Sequence, residues 1–222
     1  MIRKLFAADR KKPRPLKSPV MLEKDQDMYI APGVSNKKWI DLNLDDEDSP
    51  DWIEAIKILR ERIYARYLDA ANLLIKDDET RKPIDRKYGF TILAICCLLM
   101  ETIQAFKDGL TDTNGKSKST VKKFLMESPS FSQFFPDDDT AQSFYEHYRC
   151  GILHQAEVQG DSLVWSVGSL RGTVGTKQYV NRTEIYEKLK TDFDEYLERI
   201  KEKHNTELRR NFRTKMDFIA RK

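Results

Sequence analysis

Residues 141–158, AQSFYEHYRCGILHQAEV, carry the pattern from which the rest of the chain is best interpreted. Phe144, Tyr148 and Ile152 recur every four residues, which is typical of one face of an α-helix. Gly151 lies among the polar side chains of the second half, where an ordinary helix favours alanine. The stretch therefore predicts an amphipathic helix with a kink, or a close backbone approach, near that glycine.

Two side chains of this stretch, Arg149 and His154, form a pair suited to phosphate chemistry. Arginine is a permanent cation whose planar fork fits a phosphate, and histidine can move a proton near neutrality. Five residues correspond to about 140° on a straight helix, so the two groups would lie on different faces. Either the helix is distorted near Gly151, or the two groups serve different neighbours, or one of them meets a second copy of the chain.

The same spacing occurs a second time in the chain. Arg199 and His204 are also five residues apart, in the sequence RIKEKH. This second pair lies in a run of charged residues that indicates a solvated helix face. The first pair differs from it in context: an apolar helix precedes the pair, a glycine lies within it, and a strand-like segment follows.

With these neighbours, YRCGILHQAEV resembles the R-x4-6-H motif of the HEPN-domain family, with Arg149 and His154 in the two defining positions. The similarity extends over roughly residues 50–200 and includes an apolar helix containing ILAICCLLMETI and a later helix beginning NRTEIYEKL. It implies an all-α bundle of four to five helices with a small β-hairpin inserted before the last long helix. It also implies a homodimer in which the two motifs face each other.

The resemblance implies a function as well as a fold. Many HEPN proteins are metal-independent endoribonucleases of toxin or antiviral defence systems, and others are inactive modules that bind nucleic acid or nucleotide or act as oligomeric scaffolds. In the first case Arg149 would hold the scissile phosphate and His154 would act as general acid or base, without cofactor or metal. Cys150, where active members often carry Asn, Asp or His, and Gln155 are supporting candidates. We expect the endoribonuclease, with RNA as its substrate; the inactive module is the alternative.

Three further residues are candidates for the site. Glu101 interrupts the apolar helix, and it is either a helix residue at the edge of the core or a carboxylate that orients Arg149 or His154. Arg171 and Lys177, near a glycine-containing loop, are candidates for contact with RNA.

The charge distribution and the helical periodicity divide the chain into three parts. Residues 1–48 are predicted to form a basic, proline-containing arm, residues 49–200 the helical domain, and residues 201–222 a basic helical tail. The first 20 residues carry seven basic side chains and one acidic, and residues 199–222 carry nine basic and three acidic. Basic ends suit a phosphate-rich partner, although solvated tails have the same composition.

Within the domain, periodicity and turn residues predict the individual elements. The predicted helices span about 50–76, 85–109, 120–127 and 141–154, with a last long helix from Thr183, and the predicted hairpin pairs strands 162–167 and 178–180 across the loop 168–175.

Cysteine usage and the absence of long apolar runs bear on localisation. Cys96, Cys97 and Cys150 lack metal-ligand spacing, and this favours a reduced, cytoplasmic protein. The N-terminus has no apolar core of a signal peptide, and the run Phe90–Met100 is too short to cross a bilayer. We therefore expect a cytoplasmic protein with no membrane partner.

Overall fold

The computed structural model describes residues 28–221. The basic residues 1–20 of the predicted arm and Lys222 of the predicted tail lie outside this range. The fold is mostly helical, which confirms the helical part of the expected fold class. In chain order the strands and α-helices are β1 (Tyr29–Ala31), β2 (Val34–Ser35), α1 (Asn36–Ile40), α2 (Asp51–Ile63), α3 (Asp69–Glu79), α4 (Gly89–Lys107), α5 (Ser117–Glu127), α6 (Asp138–Phe144), α7 (Gly151–Gln155), β3 (Ser162–Trp165), β4 (Arg171–Val174), β5 (Lys177–Asn181), α8 (Arg182–Lys201) and α9 (Thr206–Ala220).

Helix α4 is the centre of the fold, as its apolar sequence predicts. It packs against α3, α5, α8 and α9, and the side chains that line these contacts are buried. By length and composition α4 is the one described helix that could cross a membrane, but a buried core helix passes the same test. More than half of its most apolar window, 56%, is buried inside the fold, so its hydrophobicity is explained by packing. The cytoplasmic localisation and the lack of a membrane partner stay predictions.

The first long helix is continuous but not regular. A π-helical turn, Tyr64–Leu68, joins α2 to α3, so the helical run extends from Asp51 to Glu79. The Oγ of Ser49 accepts a hydrogen bond from the backbone N–H of Asp51 and so satisfies one of the free donors at the helix start.

The small sheet differs from the predicted hairpin. Its strand order is β3-β5-β4, with β3 parallel to β5 and β4 antiparallel to β5. The two strands that the sequence predicts therefore pair in parallel, and the hairpin is made by β4 and β5. Strand β4 lies in the stretch that was predicted to be a glycine-containing loop. Position 172 favours glycine, because the Cβ atom of any other residue would lie only 2.7 Å from the hydroxyl of Tyr179 on the neighbouring strand.

Residues 28–48 and α9 pack into the same hydrophobic core as the central helices. Trp39 is buried, its ring meets the edge of Phe212 on α9, and its indole N–H donates to the Asp217 carboxylate at 2.8 Å. The described part of the predicted arm therefore lies on the helical body, held there by a large apolar ring with a satisfied polar atom.

A buried ion pair joins the beginning of α8 to the end of α3. The Arg182 guanidinium donates to the Asp78 carboxylate at 2.8 Å, and the two side chains are 1% and 0% exposed. Asp78 also accepts hydrogen bonds from the backbone N–H groups of Lys87 and Tyr88, at 3.0 and 3.1 Å, just before α4 begins. One carboxylate thus holds three segments of the chain together.

Replacing Asp78 by Ala will leave the Arg182 charge buried without its counter-charge. Because breaking such a pair from one side is strongly destabilising, we expect the free energy of unfolding to fall by about 3–5 kcal/mol. Urea denaturation will measure it. The matched control is Asp77→Ala, which removes the neighbouring carboxylate from a surface pair with Arg81 and should leave stability nearly unchanged. Equal effects of the two substitutions would contradict this role of Asp78.

Candidate functional site

The motif residues lie on one continuous helix that contains a π-helical turn. The helix begins at Asp138, after Asp137 caps it by accepting a hydrogen bond from the Thr140 backbone N–H at 2.8 Å. The turn Tyr145–Cys150 is π-helical and α7 continues from it, ending where Ala156 adopts a left-handed conformation with φ of 54°. Such π-turns often occur at functional sites because they change the direction of side chains within a helix.

Gly151 is required by a close approach of two backbone segments. A Cβ atom at this position would lie 2.5 Å from the carbonyl oxygen of Glu157, well inside van der Waals contact. The chain folds back at this point, and the backbone N–H of Gln159 donates to the carbonyl of His147 at 2.9 Å. The close approach expected at Gly151 is confirmed, and the distortion of the helix is the π-turn that precedes it.

Arg149 is held by Glu101 from the central helix. The guanidinium Nη2 donates to Glu101 Oε2 at 3.0 Å, and both side chains are mostly buried, with 16% and 14% exposed. Ser117 and Thr113 donate their hydroxyls to the same carboxylate at 2.6 and 2.5 Å. The guanidinium also lies 5.4 Å from the centre of the Tyr145 ring. Of the two interpretations of Glu101, the contacts favour the carboxylate that orients Arg149.

These contacts determine the ionisation of Glu101. Burial acts to raise its pKa, but the hydrogen bonds from Ser117, Thr113 and Arg149 and the positive charge of Arg149 outweigh burial, so the pKa lies below the ordinary value. Glu101 is therefore a carboxylate at neutral pH. The pair consists of two full charges, and the Nε of Arg149 is buried without a hydrogen-bond partner among the described residues.

Arg149 and Glu101 line a cleft of about 270 Å³. The cleft lies between α4, the loop that follows α4, the motif helix and α9, which contributes Lys215. Leu98 and Leu153 form part of its wall and remain 40% and 45% exposed. The site is thus a cation fixed by a carboxylate in the lining of a small cleft that also has exposed apolar side chains.

The other motif residues lie outside this cleft. His154 and Gln155 are exposed at the end of α7, and neither lines the Arg149 cleft. Within residues 28–221 the structure gives His154 no hydrogen bond and no ion pair. Cys150 is a half-buried free thiol, whereas Cys97 behind it is fully buried, and burial raises the pKa of Cys97 to about 12. Within one chain, Arg149 therefore lies in the cleft and His154 lies outside it.

The two residues predicted to contact RNA have different environments. Arg171 donates to the backbone carbonyl of Phe134 at 2.7 Å, and its guanidinium lies 5.3 Å from the centre of the Phe135 ring. These contacts give Arg171 a structural role between the sheet and the helices. Lys177 is exposed at the start of β5 and is accessible to a ligand.

Several residues of the site are not identified by the motif. Tyr145 lies one helical turn before Arg149. This spacing places two side chains on the same helix face, so it is a sequence signal from which Tyr145 can be identified. Thr113 lies in the loop after α4, Ser117 at the start of α5, and Lys215 on α9. No local sequence pattern connects these residues to Arg149. His147 lies on the same helix but has its Nδ1 3.4 Å from the hydroxyls of Ser143 and Ser162, so it links the motif helix to β3.

No group of three or more His, Cys, Asp or Glu side chains in the described range 28–221 is arranged to hold a metal ion. Comparisons of the chain with models of protein families, with curated proteins and with solved structures find no match. Membership of the HEPN family therefore stays a prediction based on the motif and its surroundings.

Replacing Glu101 by Gln will test the pair through its pH dependence. The substitution leaves Arg149 without its counter-charge, and we expect a loss of about 1–3 kcal/mol in the free energy of unfolding at pH 7. Because the folded pKa of Glu101 is depressed, its contribution is present above its unfolded pKa of about 4.3 and is lost as the pH falls through the folded value. The difference between wild type and variant should therefore shrink in acid.

Chemical denaturation between pH 3 and pH 7 will measure this difference. Glu146→Gln is the matched control, because Glu146 is on the motif helix but pairs with Lys118 at the surface. A difference between wild type and Glu101→Gln that does not change with pH would contradict a charged Glu101.

Proposed function

We propose that this protein is a metal-independent endoribonuclease of the HEPN kind. The observation that carries the proposal is the fixed Arg149 cation, held by Glu101 next to an open cleft, with the exposed His154 less than two turns away on the same helix. The cation supplies a site for a phosphate, and the histidine supplies a group that can transfer a proton. The accompanying biological proposal is a toxin or antiviral defence role in the cytoplasm.

Arg149 would bind the scissile phosphate and stabilise the charge that develops on it. The single carboxylate that holds the guanidinium leaves its remaining donors for a ligand, and a fixed orientation avoids the entropy lost when a free arginine is ordered. Partial burial strengthens this interaction, because a charge in a less polar environment is screened less by water.

His154 would act as the general acid or base. In the proposed reaction the 2′-hydroxyl oxygen of the RNA attacks phosphorus and loses its proton, and the 5′-oxygen of the next nucleotide leaves and gains one. The products are a 2′,3′-cyclic phosphate and a 5′-hydroxyl end. An exposed imidazole that has no partner among residues 28–221 is available for such transfers.

A homodimer would bring the two groups together. Leu98 and Leu153 are exposed next to the Arg149 cleft, and apolar side chains at the rim of a polar cleft suit a partner surface. His154 lies outside the cleft of its own chain, so the histidine of a second copy would face Arg149. A two-fold arrangement then makes two equal sites.

One observation favours a second candidate, an inactive HEPN module that binds nucleic acid or nucleotide or serves as a scaffold. Glu101 neutralises the charge of Arg149, and a mostly buried ion pair of this kind is also a common structural element. In that case Arg149 stabilises the contact between α4 and the motif helix, and His154 has no chemical role.

RNA cleavage in EDTA will distinguish the two candidates. We expect the wild type to cleave a labelled single-stranded RNA to cyclic-phosphate products, and Arg149→Ala or His154→Ala to lose at least about a hundredfold in rate, because that is the usual contribution of such groups. Arg221→Gln, which removes an exposed arginine at the end of α9, is the matched control and should cleave like the wild type. No cleavage by the wild type on any of several RNAs, together with binding that survives in both alanine variants, would favour the inactive module.

Mixing the two inactive variants will test the dimeric site. If Arg149 of one chain acts with His154 of the other, a mixed dimer of Arg149→Ala and His154→Ala contains one intact site. Random assortment makes half of the dimers mixed, so co-expression should restore about a quarter of the wild-type activity. If both groups act within one chain, no site is intact and the mixture stays inactive.

A further inference from the structure

A second and larger cleft lies at the C-terminal end of α4. It has a volume of about 680 Å³ and lies between the end of α4, α5, the end of α8 and the beginning of α9. Four basic side chains line it, namely Lys107, Lys123, Arg199 and His204. None of them belongs to the proposed catalytic site.

The second Arg–His pair of the sequence contributes to this cleft. The solvated helix face predicted for this pair holds for Arg199, which is exposed on α8, but not for His204, which is exposed in the turn after α8 ends at Lys201. The turn is closed by the Asn205 side chain, whose Nδ2 donates to the Arg199 carbonyl at 2.8 Å. Arg199 comes from the helix and His204 from the turn, and both line the same cleft.

Two of the cations lack a carboxylate partner, whereas the acids of the cleft are occupied. Asp108 accepts from Lys123 at 2.8 Å and from Gln104 at 3.1 Å, and Glu207 pairs with Arg210 at 3.8 Å. Within residues 28–221 neither Lys107 nor Arg199 has a carboxylate oxygen within ion-pair distance. The cleft thus contains two positive charges that are not neutralised by contact.

The Lys107 ammonium is partly buried. Burial lowers its pKa, the charge of Asp192 raises it, the nearby Arg199 charge lowers it, and the charges of Asp108 and Glu127 raise it, with a net shift downward. Two neighbouring cations, one of them partly buried, would be stabilised by an anion between them. The first turn of α9 adds to this effect, since Thr206, Glu207 and Leu208 line the cleft and the Asn205 side chain caps none of their N–H groups.

We propose that this cleft binds phosphate groups through Lys107 and Arg199, with His204 at its edge. Its volume is in the range of small-ligand sites. The phosphates could belong to a free nucleotide or polyphosphate, or to the backbone of an RNA strand, and the charge pattern recognises both. The inference does not depend on the proposed ribonuclease activity, because it uses a different cleft and different residues.

Binding measurements with two probes will test the cleft and distinguish the two sources. Sodium pyrophosphate, followed by calorimetry, represents a free polyphosphate, and a fluorescein-labelled ten-nucleotide RNA, followed by anisotropy, represents a strand. The variants are Arg199→Gln, Lys107→Gln and the double substitution. Lys201→Gln is the matched control, since it removes an exposed lysine two residues from Arg199 that pairs with Glu198 and does not line the cleft.

We expect saturable binding of at least one probe by the wild type, weakened about tenfold or more by each cleft variant and unchanged by Lys201→Gln, because a charge-assisted hydrogen bond is worth roughly this factor. If the cleft variants lose pyrophosphate binding but keep RNA binding, the ligand is a free phosphate compound. If they lose RNA binding, the ligand is an RNA strand. Thermal melting will verify that the variants are folded, and Arg199→Gln, an exposed position, keeps the test valid if Lys107→Gln does not fold. Absence of saturable binding of both probes, or binding that the folded variants leave unchanged, would overturn the proposal.

Discussion

The burial of α4 is the constraint on which the rest of the structure depends. The helix is apolar almost all round, and α3, α5, α8 and α9 together cover most of it, while Leu98 stays exposed beside the Arg149 cleft. Both clefts follow from this arrangement. They lie where the surrounding helices separate near the polar residues of α4, one beside Glu101 and one beside Lys107.

Glu101 is an unfavourable residue in an apolar helix, and its hydrogen bonds position the candidate site. A carboxylate at the edge of a core must be compensated, and here two hydroxyls and a guanidinium compensate it. The compensation has a geometric result, because it fixes Arg149, one of the longest and most mobile side chains, in one position. The position of the candidate site is therefore determined by the hydrogen bonds that the two carboxylate oxygens of Glu101 require.

The long helices could be predicted from the sequence because a buried helix face repeats within a few residues, as in α4 and α8. The sheet could not, because its strand order depends on contacts that exist only after the strands meet, such as the parallel pairing of Ser162 with Gln178 and the fit of Gly172 against Tyr179. Arg149 and His154 could be selected from their spacing. Their partners could not be predicted in this way. The contacts of Thr113 and Ser117 with Glu101 depend on how the helices cross, and the shared cleft of Arg199 and His204 depends on where α8 ends. No local sequence pattern indicates either of these.

The contact between Trp39 and Asp217 also has a consequence for synthesis on the ribosome. It joins residues 178 positions apart, so it cannot form until Asp217 has been synthesised. The same helix supplies Lys215 to the Arg149 cleft and Phe212 to the core. An emerging chain therefore has neither a complete core nor a complete cleft, and both are acquired when α9, the last described element, leaves the ribosome.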